Sequence, residues 1–464
     1  MDDRQDLGRS FGEEHFGAAE LGDVRRTRRL VRLADQMVKH PGGTLPEKLS
    51  DPASLKAMYR LAAMEPVTHG SVLAASRERT LRLASQTRGT LLFVHDGTEL
   101  DYTELESLKE LGQIGNGQGR GYLAYNTLVV VPETRDVLGL AYQKLITRPK
   151  TPKNETRKQC RERPDRESRM WKKASLALPA PPPGCHWVDV ADRGADLLEF
   201  LDYEESAGKS YVVRSKHNRC IQLENGKKTK LHDFARALPA VGTKTVEVPA
   251  TKKDPARTAT VGVAWAEVTL LIPVQPRGEI RGVPLKTWVV CAREIDPPAG
   301  VEPLEWILLT NVPVRSLQDA LERLVWYACR WVVEEYHKAL KTGVGIEDLQ
   351  FRSEQRLEPV IALLSVVALF LLNLRNASRR PDAQERPATE VLPVVFVSTL
   401  ALWRYKKLRT DLTVHEFYYA LARLGGHQNR RHDHPPGWLI LWRGWTKLQA
   451  MVDIAIAFER QKCG

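Results

Sequence analysis

The chain has 464 residues, 42% hydrophobic and 27% charged, which is enough apolar material for about three domains of roughly 150 residues and excludes global disorder. Lys and Arg number 69 against 57 Asp and Glu, a net charge of +12 with a pI near 9.3, so a polyanion such as nucleic acid is the first partner to consider. The N-terminal MDDRQDLGRSFGEEHF lacks the apolar stretch of a secretory signal. The longest apolar run, Val360 to Leu372, falls short of the roughly 20 residues of a membrane span. Six scattered cysteines (Cys160, Cys185, Cys220, Cys291, Cys329, Cys463) form no CxxC pair and no zinc-ligand spacing. A reduced, cytoplasmic protein with free thiols is expected.

Up to about Gln86 the chain is dense in helix formers and basic side chains. Asp23 is placed to cap a helix whose apolar Leu30, Leu33, Ala34 and Met37 recur at helical spacing, with Arg25, Arg26, Arg28 and Arg29 in its first turns. Pro41-Gly42-Gly43 ends it, and a second helix is predicted over Ser54 to Ala63. Short basic helices in tandem suit a small DNA-reading domain over 1–86. From Thr90 the pattern turns to strands: Thr90 to Asp96, Asn126 to Pro132 and Val137 to Gln143, the last two joined by a turn at Pro132 to Arg135. Arg148 to Lys173, with eleven Lys or Arg and four acids, reads as a loop. His186 to Ala191 is a further strand running into Asp192, followed by a helix from Ala195 to Glu205 and a strand at Tyr211 to Arg214. The mixture predicts an α/β core over 87–358.

Within it, about 226–311 reads as an inserted β-subdomain with strands at Thr245–Val248, Thr258–Val274, Thr287–Arg293 and Trp306–Thr310, separated by turns such as Pro276-Arg-Gly278. Ser316 then caps a long helix through Leu340, and 359–464 is helical. Val360 to Leu374 and Trp438 to Trp442 offer more apolar surface than one small helical unit needs.

The long helix carries the most informative pattern. Tyr327, Arg330, Glu334 and Lys341, spaced by three, four and seven residues, fall within roughly a 60° arc of one face. By itself such a stripe is a solvated helix edge. Upstream, though, two strands each end in an aspartate, Asp96 and Asp192. Acids at adjacent strand ends and one on a nearby helix can converge on divalent ions for phosphoryl transfer. Neighbouring acids fit less well. Glu335 is turned about 100° off the stripe, and Asp189 lies an odd number of steps from Asp192, on the opposite strand face. Gly115 to Gly121 lacks the ending of a nucleotide-binding loop, and His427, His432 and His434 lack ligand spacing.

The block from Tyr327 to Lys341 matches a Y-x2-R-x3-E-x6-K signature, and with Gly22 to Leu30, His95 to Leu100, Ala191 to Asp196, Val212 to His217 and Leu304 to Thr310 it resembles the insertion-sequence-four family of bacterial DDE transposases. The resemblance runs in order over most of the chain. It implies a ribonuclease-H-like catalytic core with a β-sheet insertion, an N-terminal helical end-recognition domain and a C-terminal helical dimerisation domain. It implies that Asp96, Asp192 and Glu334 bind two catalytic Mg²⁺ ions, with Mn²⁺ as substitute. Tyr327, Arg330 and Lys341 would hold DNA phosphates near the cut, Arg214 and Lys216 would contact DNA, and Trp306 would receive a base flipped from the duplex. The implied activity is cut-and-paste transposition: nicking, hairpin formation, hairpin opening and strand transfer. The implied partners are double-stranded DNA (inverted-repeat ends and target) and a second copy of the chain, with no membrane and no nucleotide cofactor, in a bacterial cytoplasm at the nucleoid. A non-catalytic DNA-binding descendant and a structure-specific nuclease are the alternatives; the intact acid set opposes the first, the Trp306 segment and signature helix the second.

Overall fold

Asp23 starts the basic helix as its sequence predicts. Its Oδ1 accepts the Arg25 N–H at 2.8 Å, and Leu30, Leu33, Ala34 and Met37 are buried along one face. In the computed structural model, which describes residues 10–462 apart from 41, 50, 149–153, 157–158, 160–162, 164–165, 249–255, 274–279, 379, 431–432 and 434, this helix is α2 (Val24–Lys39), between α1 (Phe11–Phe16) and α3 (Leu45–Lys48). Next come α4 (Pro52–Ala62), whose first N–H groups are capped by Asp51, and α5 (His69–Gln86). The turn at Pro276 to Gly278, the Pro41 stop, twelve of the 26 residues from Arg148 to Lys173, Cys463, His432 and His434 fall wholly or partly outside the described residues, Cys160 among them.

The sheet begins with β1 (Gly89–Asp101), β2 (Gly112–Gln113), β3 (Arg120–Val130) and β4 (Val137–Ile146). β1 does not end at Asp96. β3 pairs antiparallel with it from Leu92↔Val130 to Asp101↔Gly121, so the strand continues five residues further than its apolar stretch suggests. After α6 (Met170–Leu176), β5 (Cys185–Ala191) pairs parallel with the first half of β1 only, from Gly89↔Cys185 to His95↔Ala191. α7 (Leu198–Ser206) leads to β6 (Ser210–Arg214), parallel to β5.

The inserted segment does not fold apart from this sheet. β7 (Cys220–Gln222), β8 (Lys228–Lys230), α8 (Leu231–Ala237), β9 (Gly242–Val248), β10 (Arg257–Leu270), β11 (Leu285–Glu294) and β12 (Glu305–Thr310) follow. β12 pairs antiparallel with β6, giving one mixed sheet in the order β2-β3-β1-β5-β6-β12-β11-β10-β7-β8, with β4 on β3 and β9 on β10. Ile307, Leu308 and Leu309 are buried beside Val212 and Val213, so the join covers what would otherwise be two exposed apolar edges.

The long helix is also not continuous. α9 (Leu317–Ala328), capped by Ser316 and Asp319, and α10 (Trp331–Lys338) meet at a tight joint. There the N–H groups of Arg330, Val332 and Val333 bond to carbonyls three residues back, at 3.0–3.1 Å. Ala339–Gly343 then widens into a π-turn.

The remaining helices are α11 (Glu354–Ser378), α12 (Val394–Tyr405), α13 (Val414–Leu424) and α14 (Trp438–Lys462). By length and composition Glu354–Asn373 could cross a membrane, yet it is largely buried inside the protein. It packs on α5, β4 and α14. Every residue from Val360 to Leu372 is buried except Phe370, which is partly so. That stretch is core and offers no surface to a second copy, because a helix apolar on all sides belongs inside. A single apolar cluster runs from Phe16 through the sheet to Val452.

Candidate active site

The last parallel rung between β1 and β5 is His95↔Ala191. The next residue on each chain is an acid, Asp96 and Asp192, so the geometry of two parallel strands brings these carboxylates side by side. Asp96 stays in the β1–β3 ladder, opposite Asn126. Asp192 caps a short turn, its Oδ1 accepting the Gly194 N–H at 2.7 Å. Gly194 is required there, since a Cβ would sit 2.9 Å from both Asp192 Oδ1 and Trp171 Cζ2. Glu334 approaches from α10. Arg330, at the joint, bridges it to the strand, with Nη1 donating to Asp96 Oδ2 at 3.2 Å and to Glu334 Oε1 at 2.9 Å. The carboxylates of Asp96 and Glu334 and a ring nitrogen of His337 lie within 4.8 Å of one another. Asp192 is outside that tight group but close enough for its charge to act on Asp96.

Burial, then the negative charges of Asp192 and Glu334, push the Asp96 carboxyl up to about 7, against the opposing pull of the Gly97 N–H and Arg330. An acid held this way favours any cation that relieves it. Beside it the Tyr125 hydroxyl is buried without a hydrogen-bond partner, within electrostatic reach of Asp96 and Asp192.

Of the other stripe residues, Tyr327 is buried at the end of α9, with Arg214 at its hydroxyl. Its ring meets Trp306 edge-on, centroids 5.0 Å apart. Trp306 is half-buried on β12, opposite Ala292. Arg214 ends β6 and donates to the Glu305 carbonyl at 2.8 Å. Lys216 is exposed, and its loop is organised by the buried Asp196, which accepts the N–H groups of Lys216 and His217 at 2.6 and 2.9 Å and pairs with Arg219. Lys341 lies about two turns beyond Glu334, 3.1 Å from Glu347. The structure therefore gathers Asp96, Asp192, Glu334 and Arg330 at one sheet end, with Tyr327, Trp306 and Arg214 contiguous beside them.

Two features escape the sequence. Trp331 is exposed, with the Arg330 guanidinium 4.9 Å from its ring centre. His337 stands three residues after Glu334, a same-face spacing that marks it once the helix is known. Asp189, expected on the opposite strand face from Asp192, is buried against His95, Oδ1 to Nε2 at 2.5 Å, with His95 Nδ1 at 2.8 Å from Thr127.

In the N-terminal segment, Arg25, Arg28, Arg29 and Arg32 project from α2 and line a groove of about 550 Å³ against Asp51, Ala53 and Ser54 around the start of α4. Arg26 is not part of it; it donates to the Leu21 carbonyl at 2.8 Å and holds the chain entering α2.

Residues 9–67, which contain this groove, match the family model described as Transposase DNA-binding. The match makes the N-terminal segment a transposase DNA-binding domain and supports a DNA-binding transposase.

Proposed function

We propose that this chain is a DDE transposase of the insertion-sequence-four type, most like the hairpin-forming transposon-five enzyme, built on a ribonuclease-H-like core. It binds inverted-repeat ends as a homodimer and carries out nicking, hairpin formation, hairpin opening and strand transfer at one site. The observation that supports this most directly is the convergence of Asp96, Asp192 and Glu334 at one sheet end, in a chain whose first helices are a transposase DNA-binding domain.

The donor set fits hard divalent ions. It consists of carboxylate oxygens, and the Asp96 acid is raised by its like-charged neighbours. Mg²⁺, or Mn²⁺ in its place, would be held by Asp96, Asp192 and Glu334 and would stabilise the attacking and leaving oxygens of an in-line displacement. The chain's own groups do the rest. Arg330 offsets part of the acids' charge and, with Tyr327, Lys341, Arg214 and Lys216, orients phosphates by hydrogen bonds, charge-assisted from the cations. Trp306 supplies a π-face for a base displaced when the strand bends into a hairpin. Arg25, Arg28 and Arg29 track the phosphates of the end sequence.

The test is a nicking assay on duplexes carrying the inverted repeats that flank the gene. The unaltered protein should nick in Mg²⁺. Asp96→Ala, Asp192→Ala and Glu334→Ala should bind the same DNA and fail to cut it. Cleavage by any of these variants removes that residue from the site. Binding without cleavage by the unaltered protein would favour a non-catalytic DNA-binding protein, and nicking without hairpins a nuclease.

A further inference from the structure

A buried chain of amides and imidazoles reaches the acids from behind, and no role given above uses it. Asn126 lies opposite Asp96 in the β1–β3 ladder. Its Nδ2 donates to the Ala124 carbonyl at 3.2 Å and lies 3.1 Å from His337 Nε2. Its Oδ1 accepts from Gln143 Nε2 at 2.8 Å, and the same Gln143 nitrogen donates to Ser365 Oγ at 2.9 Å. Gln143 Oε1 faces His69 Nε2 at 3.0 Å. Asn126, Gln143, Ser365 and His337 are all buried.

One backbone carbonyl sets the sense of the whole chain. A carbonyl oxygen only accepts, so Ala124 fixes which end of the Asn126 amide is nitrogen. That nitrogen offers a proton to His337 Nε2, which must therefore be the acceptor. A ring accepting at Nε2 carries its proton on Nδ1 and is neutral. Gln143 is then oriented by Asn126, and His69 donates from Nε2. His337 is thus locked in one tautomer, within 4.8 Å of the Asp96 and Glu334 carboxylates. Burial, then the charges of Lys341 and Arg330, press its pKa down to about 3, in keeping with a ring that stays uncharged.

We propose that His337 is a positioning residue of the acidic site: fixed as a neutral ring by the Ala124–Asn126–Gln143 chain, it ties the helix bearing Glu334 to the strand opposite Asp96 and holds the two carboxylates at the spacing a divalent cation requires. This rests on the metal-binding role proposed for Asp96, Asp192 and Glu334. A protonated ring would place a second cation against acids that Arg330 already bridges. Outer partners of this kind commonly change metal affinity by about 10- to 100-fold.

The experiment uses the full chain labelled with ¹⁵N-histidine, Mn²⁺ binding followed by electron paramagnetic resonance, and thermal melting. The unaltered protein should show one histidine in the Nδ1–H form whose ¹⁵N signals are displaced in Asn126→Asp, where the donor facing Nε2 becomes an acceptor. Asn126→Asp and His337→Gln should each weaken Mn²⁺ binding by about tenfold or more, and Asp96→Ala should abolish it. Mn²⁺ affinity unchanged in both relay variants while Asp96→Ala loses it would overturn the proposal and leave the acids' role standing. Mn²⁺ binding absent from the unaltered protein would overturn both. If the variants fail to fold, the ¹⁵N spectrum of the unaltered protein decides, and an imidazolium or an Nε2–H ring at His337 refutes the relay.

Discussion

His95 and Asp96 are neighbours on β1, and their side chains leave the strand on opposite faces into opposite surroundings. On one face His95 is fully buried and matched, with Asp189 on one nitrogen and Thr127 on the other. On the other, Asp96 faces Asp192 and Glu334, with a single guanidinium among three carboxylates. The same pair of parallel strands thus carries a buried hydrogen-bonded His–Asp pair and, one residue later, a cluster of carboxylates. The first holds β1 to β5. The second costs stability that only a cation, or protons, can recover, which is how a binding site differs from a structural one.

Removing a charge should therefore have opposite signs on the two faces. Asp189→Ala leaves a buried imidazole nitrogen without its partner and should lower stability by about 1–3 kcal/mol in a denaturant titration. A loss below about 1 kcal/mol would mean the pair is not structural. Asp96→Asn should instead stabilise the metal-free protein. The folded-state pKa of about 7 lies above the ordinary 3.8, so this acid's contribution is fully present below pH 4 and is lost as pH rises through 7. Variant and parent should melt together near pH 4 and separate by up to roughly 4 kcal/mol at pH 8. Mn²⁺ should close that gap by stabilising only the parent, and its binding should weaken as pH falls through 7. Equal melting at pH 8 would end the comparison.

A smaller effect sharpens it. Trp306→Ala should slow hairpin formation by roughly 5- to 150-fold, matching the ~1–3 kcal/mol of a base stack, with first-strand nicking unchanged. Parallel loss of both steps with a lower melting temperature would make Trp306 packing for Tyr327 instead. The smallest change belongs to the exposed extreme: Arg28→Ala should reduce the slope of log affinity against log salt by about 0.9 for one lost phosphate contact. An unaltered slope would take Arg28 off the DNA.

What was legible in the sequence is what depends on local chemistry. The start of α2 follows from Asp23 and the spacing of Leu30 to Met37. The even burial of Val360–Leu372 follows from a run with no polar face, although its surplus of apolar residues suggested an interface. The pairing of Asp96 with Asp192 could be anticipated because each follows an apolar stretch. Register and partners at a distance could not. β1 runs past Asp96 because β3 continues beside it, and 226–311 joins the sheet because β12 finds β6. Cys329 and Arg330 contain no glycine or proline to announce a joint between α9 and α10. His337 acquires meaning only from Asn126, which lies 211 positions away.

The continuous hydrogen bonding from β1 through β5 and β6 to β12 has a mechanical consequence. Asp96 and Trp306 ride on strands of one hydrogen-bonded sheet, and Asp192 is the residue that directly follows β5. Under the proposed function, the distance from the scissile phosphate to the stacked base is a fixed gauge, and the duplex must be bent to meet it. A nucleotide inserted between the cleavage point and the displaced base would be out of register with that gauge, whatever the affinity for the end. The fold would thus measure DNA as well as cut it.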